Sequence, residues 1–145
     1  MRIPITVKIE SRRSSNDEIE RLETCAAGFL NKNKNGIQLH YTESEESGMG
    51  ATKTTVHLCD GVVSVNRSGN VNSHMLFEKG KTHNCIYDTG FFPMQLMIST
   101  KELKCDLSEL GGKLLVDYSV EIAGNSAEKT TLTLSVSPDS SVLTS

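Results

Sequence analysis

Thr52-Lys53-Thr54-Thr55-Val56-His57-Leu58-Cys59, then Asp60-Gly61, then Val62-Val63-Ser64-Val65-Asn66-Arg67: two alternating runs joined by a two-residue hinge. Asp-Gly between alternating segments is a strong hairpin signal, because both residues tolerate the backbone that a tight turn between twisted strands requires. A tight turn sets Cys59 opposite Val62, Leu58 opposite Val63, Val56 opposite Val65 and Thr54 opposite Arg67. Side chains alternate across a strand, so Val56, Leu58, Val63 and Val65 share one covered face. Thr54 and Arg67 fall on that same face, which places a guanidinium where a simple core wants apolar groups.

Upstream, Ile37, Leu39 and Tyr41 continue one face of a strand that also carries Glu43 and Glu45, and residues 46–51 read as a flexible hairpin loop. Symmetric closure of that loop sets Glu45 opposite Thr52, Glu43 opposite Thr54, Tyr41 opposite Val56 and Leu39 opposite Leu58. The two hairpins then send the same residues inward. This register also sets His40 opposite His57 on the outer face.

Further out, Ile3, Ile5, Val7 and Ile9 alternate with Arg2, Thr6, Lys8 and Glu10, the period-two pattern of a half-covered strand. Residues 12–17 read as a polar turn. Residues 18–30 fit either a helix, through Ile19, Leu22, Ala26 and Phe29, or a long bulged strand with Cys25, Ala27 and Phe29 on one face and Thr24, Gly28 and Leu30 on the other. Strand is preferred, because the rest of the chain is strand-dominated. Residues 31–36 read as a turn. Downstream come a strand with Met75 and Phe77, a turn at Lys79-Gly80-Lys81 and a short strand over 83–88. A long strand follows with Phe92, Met94, Leu96, Ile98 and Thr100 on one side. Residues 103–112 read as a connection with a short helical turn near 107–110. Two last strands, Leu114 to Ile122 and Leu132 to Val136 by their inward residues, join across Gly124-Asn125.

Every connection is too short for a parallel crossover. The expectation is an all-β protein: a closed or nearly closed antiparallel meander β-barrel of about eight to ten strands, since closure removes exposed edges. Residues 1–137 form one barrel domain and residues 138–145 a flexible tail.

The chain has 145 residues, enough for one domain with a substantial core, and a net charge of −3. That charge lacks the positive field nucleic acid selects, and Arg12-Arg13 has no companion basic cluster along the chain. No apolar run is long enough to span a bilayer, and the first residues lack a signal-peptide core, so a cytoplasmic location is expected, with no membrane or nucleic-acid partner. Cys25, Cys59, Cys85 and Cys105 form no CxxC pair and read as buried free thiols, with two disulfides as the alternative in a secreted chain.

Tyr41-Thr42-Glu43, Val65-Asn66-Arg67-Ser68-Gly69, Met75-Leu76-Phe77, Tyr87-Asp88-Thr89-Gly90, Ser99-Thr100 and Leu115-Val116-Asp117-Tyr118, in this order, carry a resemblance to a small bacterial family of unknown function with a calycin or lipocalin-like β-barrel fold. The resemblance spans most of the chain. It implies a cytosolic single-domain barrel and brings no catalytic residues.

Within the barrel, Glu43 and Arg67 flank Thr54 at about 9–10 Å between backbones, a span that an arginine bridges. Buried charges are costly unless paired and hydrogen-bonded, so Tyr41, Tyr87, Tyr118 and Thr100 are expected around them. Two readings follow. The cluster is a structural ion-pair network in a barrel that works through a protein partner or a homodimer, with Leu76, Leu115 and Leu30 as an exposed apolar patch. Alternatively it is a pocket in which Arg67 takes the anionic group of a small amphipathic metabolite and Glu43, Glu45, Tyr41, Thr54, Tyr87, Tyr118 and Thr100 surround it, entered past residues 46–51. A third, weaker reading uses Glu43 and Glu45, about 6–7 Å apart along one strand, as a hydrolytic carboxylate pair. His40 and His57 alone make an incomplete metal-ligand set. No catalytic residue, metal or cofactor is assigned.

Overall fold

The computed structural model describes residues 2–15, 18–43, 52–91, 93–122 and 128–138. Among these, ten strands follow in order: β1 (Arg2–Ser15), β2 (Glu18–Asn33), β3 (Gly36–Thr42), β4 (Thr52–Cys59), β5 (Val62–Gly69), β6 (Asn72–Glu78), β7 (Thr82–Asp88), β8 (Pro93–Cys105), β9 (Gly112–Ile122) and β10 (Glu128–Pro138). Each pairs antiparallel with its neighbours in sequence, and β1 pairs with β10, so the meander closes into a barrel. The β3–β4 loop at 46–51, the Gly124-Asn125 connection, Phe92 and the tail beyond Pro138 lie outside the described residues.

The Asp60-Gly61 hinge is tight. Asp60 and Gly61 both have positive φ, 51° and 79°, and the pairs Cys59↔Val62, Leu58↔Val63, Val56↔Val65 and Thr54↔Arg67 form as the alternation predicts. Residues 18–30 are strand, in unbroken register with β1 from Arg2↔Asn31 to Ser15↔Glu18 and without a bulge.

Several local expectations are corrected. Residues 12–15 continue β1 instead of turning: the polar run is held as strand by ladders on both sides, to β2 and to β10. The β2–β3 connection is only residues 34–35, because Asn33 Oδ1 accepts from the Asn35 amide at 2.8 Å and closes a tighter turn. The β3–β4 register is shifted by two from symmetric loop closure: Tyr41 faces Thr54, Leu39 faces Val56 and Ile37 faces Leu58, while the Glu43 amide donates to Thr52 O at 2.7 Å. A shift of two preserves the face, so the inward set survives. β8 runs on to Cys105 through a register irregularity between Thr100 and Glu102. The turn at 107–110 is not helical, since Ser108 and Gly111 exchange backbone hydrogen bonds of 2.9 and 3.0 Å. Only Cys85 of the four thiols is buried; Cys59 is half-buried, and Cys25 and Cys105 are exposed because they fall on outward positions or at a strand end.

Inward residues make one continuous core. The end of the barrel that holds the β2–β3, β4–β5, β6–β7 and β8–β9 connections is filled by Ile5, Val7, Leu30, Leu39, Leu58, Phe77, Ile98 and Leu114, with Leu107 packed over them. Leu30 is wholly buried there, so it belongs to no surface patch. Outward positions of β1 and β2 carry Lys8, Glu10, Arg12 and Glu23, while Phe29, Ile86 and Met97 are large apolar side chains also exposed on the outer surface. No helix among the described residues is long and apolar enough to cross a membrane.

Candidate functional site

At the other end the apolar filling stops. A cavity of about 260 Å³ lies there, lined below by Val56, Val65, Leu96, Val116 and Leu134 and above by polar groups. A ten-stranded barrel is wider than side chains of ordinary size fill, which leaves this space where the inward residues are spread around a tilted wall.

Glu43, just past β3, is the deepest charge: its side chain is 2% exposed. Its Oε1 accepts from Thr54 Oγ1 at 2.9 Å and stands 4.0 Å from Arg67 Nε. Arg67 reaches the other way as well, with Nη1 3.3 Å from Met75 Sδ. Its buried Nε has no hydrogen-bond partner among the described residues, and neither do Ser73 Oγ, which is paired with Arg67 in the ladder, and Thr100 Oγ1. A buried donor left unmade costs about 1–3 kcal/mol. Among the described residues the guanidinium is thus held in place but not saturated.

Three aromatic hydroxyl residues, Tyr41, Tyr87 and Tyr118, line the same cavity. Burial pushes the Tyr41 phenol well above its usual range, the nearby Glu43 carboxylate adds to the rise and Arg67 opposes it. Burial likewise raises the Tyr118 phenol, against the pull of Arg67 and Arg13 and a hydrogen bond with Thr130. Both remain neutral hydrogen-bonding groups at neutral pH. The Tyr118 ring is tilted against Phe77 with centroids 4.8 Å apart, so it is braced by the filled end of the barrel.

Of the residues expected to cluster, Tyr41, Glu43, Arg67, Tyr87 and Tyr118 line the cavity. Thr54 supports it through Glu43, and Thr100 sits buried behind it, beside Tyr118 in the ladder. Glu45 lies outside the described residues, as does the loop that follows it. The sequence reading missed Arg13 and Glu128, which also line the cavity and form an ion pair with Arg13 Nε 3.7 Å from Glu128 Oε1. Arg13 was hidden in a run that reads as a turn, and the signal that could have found it is the unbroken period of two from Val7 through Ile9 and Ser11. The two histidines do not meet. His40 Nδ1 lies 3.3 Å from Thr55 Oγ1, and His57 Nε2 lies 2.8 Å from the Asn35 carbonyl. No group of three or more His, Cys, Asp or Glu among the described residues is arranged to hold a metal ion.

Chemically, this is an apolar chamber with a guanidinium at its wall that the described residues only partly satisfy, phenol groups around it and a second ion pair at the same end of the barrel, between β1 and β10. It suits recognition of an anionic group attached to an apolar body.

Comparison with known proteins places the chain. A protein-family profile described as a domain of unknown function (DUF1934) matches residues 6–134. The β-barrel protein YwiB of Bacillus subtilis, described as uncharacterized, is 31% identical over 119 residues, which cover 82% of each chain. The crystal structure of ywiB protein from Bacillus subtilis superposes with a TM-score of 0.86 at 27% identity, covering 95% of this chain and 93% of that one. The chain therefore belongs to the DUF1934 family, a bacterial family of closed antiparallel β-barrels of unknown function.

Proposed function

We propose that the protein is a cytoplasmic, lipocalin-like carrier or sensor that binds a small anionic, amphipathic metabolite inside the barrel. The observation that carries this reading is Arg67, mostly buried at the cavity wall, with a donor that no group among the described residues accepts. A carboxylate or similar oxyanion completes it: the anionic group meets Arg67 and the phenols of Tyr41 and Tyr87, and the apolar body lies along Leu96, Val116 and Val120. The volume of about 260 Å³ falls just below the usual range of drug-sized sites, so the ligand is small.

Native mass spectrometry of protein purified from its own host, beside Arg67→Ala and Arg67→Lys, tests the reading. A bound small-molecule mass in the parent, absent in Arg67→Ala and partly kept in Arg67→Lys, is the expected result. No bound mass in any of the three, together with a large loss of stability in Arg67→Ala, would favour the second reading. That reading is a structural ion-pair network in a barrel that acts through a protein partner, and the chain of contacts from Thr54 through Glu43 to Arg67 speaks for it.

A further inference from the structure

The barrel is closed unevenly. Nine of its neighbouring strand pairs are joined by six or more register pairs. The β6–β7 pair has two, Asn72↔Asp88 and Ser73↔Tyr87. In an ordinary hairpin the ladder would continue through 74↔86, 76↔84 and 78↔82. It stops because the hairpin tip is drawn to β8 instead: Lys81 N donates to Glu78 O at 3.0 Å, closing a tight turn, and that turn is bonded to Thr100 by Gly80 N to Thr100 O at 2.8 Å and Thr100 N to Lys81 O at 3.1 Å. The Lys79–Glu102 ion pair, 3.1 Å, adds to the same pull. Beyond Ser73 the two strands are covalently and sterically neighbours without a shared ladder.

Polar groups collect along this seam. Ser73 Oγ on β6, His83 Nε2 on β7 and Thr100 Oγ1 on the adjoining β8 are three of the four buried side-chain atoms without a hydrogen-bond partner among the described residues, and the fourth is Arg67 Nε on β5, next to β6; His83 Nε2 stands 3.4 Å from Glu78 Oε1, the one ion-pair contact across the seam among the described residues. The Cys85 sulfur, inward on β7, faces the His74 backbone amide on β6 across the gap. The cavity reaches both sides of the seam, through Met75 on β6 and Tyr87 on β7. A backbone group without a ladder partner turns to a side chain, as the His74 amide does to the Cys85 sulfur, or to solvent, and a seam with few ladder bonds separates at lower cost than a fully laddered one.

We infer that the β6–β7 seam is a lateral port, the route by which a small anionic, amphipathic ligand reaches the Arg67 side of the cavity. The port rests on the pocket reading above. An anion passing between Ser73 and Tyr87 arrives beside Arg67, since Arg67 and Ser73 are register partners, and its apolar body slides past Met75. Opening there breaks two register pairs, together with the Glu78–His83 ion pair and the contact between the His74 amide and the Cys85 sulfur, where any other seam would break six or more register pairs.

The test locks the seam. Leu76→Cys with Asn84→Cys, facing outward at positions that continue the register, is made together with Cys85→Ala and with Cys25, Cys59 and Cys105 each changed to Ser. The probe is 2-naphthoate, a small fluorescent aromatic carboxylate, followed by stopped flow with the disulfide formed and reduced, and disulfide formation is verified by mass. Oxidation slows association by about tenfold or more and reduction restores it, with the equilibrium affinity little changed. Equal association rates in the two states would overturn the port and leave the pocket standing. Absence of 2-naphthoate binding in the reduced protein would overturn the pocket reading and the port together. A second measurement needs no variant: in the unmodified protein, amides of β6 and β7 that face the seam exchange with deuterium at least about 100-fold faster than those facing β5 and β8. Equal protection on the two sides would also overturn the port.

Discussion

Arg67 Nε stands 4.0 Å from Glu43 Oε1, at the outer limit of an ion pair and beyond hydrogen-bond range. The carboxylate is held by Thr54 instead, at 2.9 Å. Two opposite charges are thus fixed near one another by separate supports, which keeps the guanidinium oriented while leaving it able to take another acceptor.

Removing one charge strands the other. Glu43→Ala leaves a mostly buried guanidinium without a counter-ion and is expected to destabilise the fold by about 3 kcal/mol, while Glu43→Gln combined with Arg67→Met, which removes both charges and keeps volume, costs markedly less. Urea denaturation of the parent, the single and the double variants reads the difference, and equal losses in both variants would refute the coupling.

The buried phenols give a signed pH dependence. Burial first, and then Glu43, raise the Tyr41 phenol in the folded protein, and burial raises Tyr118. The unfolded chain therefore releases these protons at lower pH than the folded one. The stability linked to them is fully present below the ordinary tyrosine value of about 10 and is lost as pH rises from there toward the folded values. Urea midpoints measured from about pH 8 to about pH 11 should fall at the alkaline end, and the fall should be smaller in Tyr41→Phe. An unchanged slope in that variant would count against the assignment.

At Gly28 the backbone of β3 leaves no room for a side chain on β2. Gly28 pairs with Tyr41, and a Cβ built there would run into the His40 carbonyl oxygen and meet the Tyr41 Cβ at 2.9 Å. Gly28→Ala is expected to cost about 2–3 kcal/mol by overpacking and to shift Tyr41 in the cavity. Thermal unfolding measures the first effect. The ultraviolet titration of the tyrosines measures the second.

The rim pair behaves differently from the deep one. Arg13 and Glu128 side chains are 56% and 40% exposed, so Arg13→Ala changes stability by less than about 1 kcal/mol. If the cavity binds an anionic metabolite, the same variant weakens binding a few-fold less than Arg67→Ala does. Calorimetric titration with the ligand identified by mass spectrometry ranks the two.

The legibility of the fold followed the range of the interactions. The Asp60-Gly61 hairpin was readable because four adjacent residues and their alternation decide it, and its pairing Thr54↔Arg67 is as expected. The β3–β4 register depended on how the nine-residue connection over 43–51 closes, which local pattern does not encode, and it came out displaced by two. Glu43 nonetheless faces inward, because parity, and not register, decides the face. Arg13 and Glu128 were illegible for a different reason. Their strands are polar at that height, and only ladders to distant partners, Arg13 to Thr130 and Glu128 to Val120, hold them extended.

By itself, then, the order of amino acids determined a sheet of alternating strands, which side of the best-patterned strands is covered, and that Arg67, Glu43, Tyr41 and Tyr118 share the covered side, because a period of two is a property of each strand alone. Only the assembled barrel decided that one end fills with Leu30, Leu39, Phe77 and Leu114 while the other stays open enough for a cavity, and that β6 and β7 part after two pairs. Those outcomes depend on the circumference that ten strands enclose and on which neighbour wins the hairpin tip at Gly80, and both are set by contacts between residues far apart in the chain.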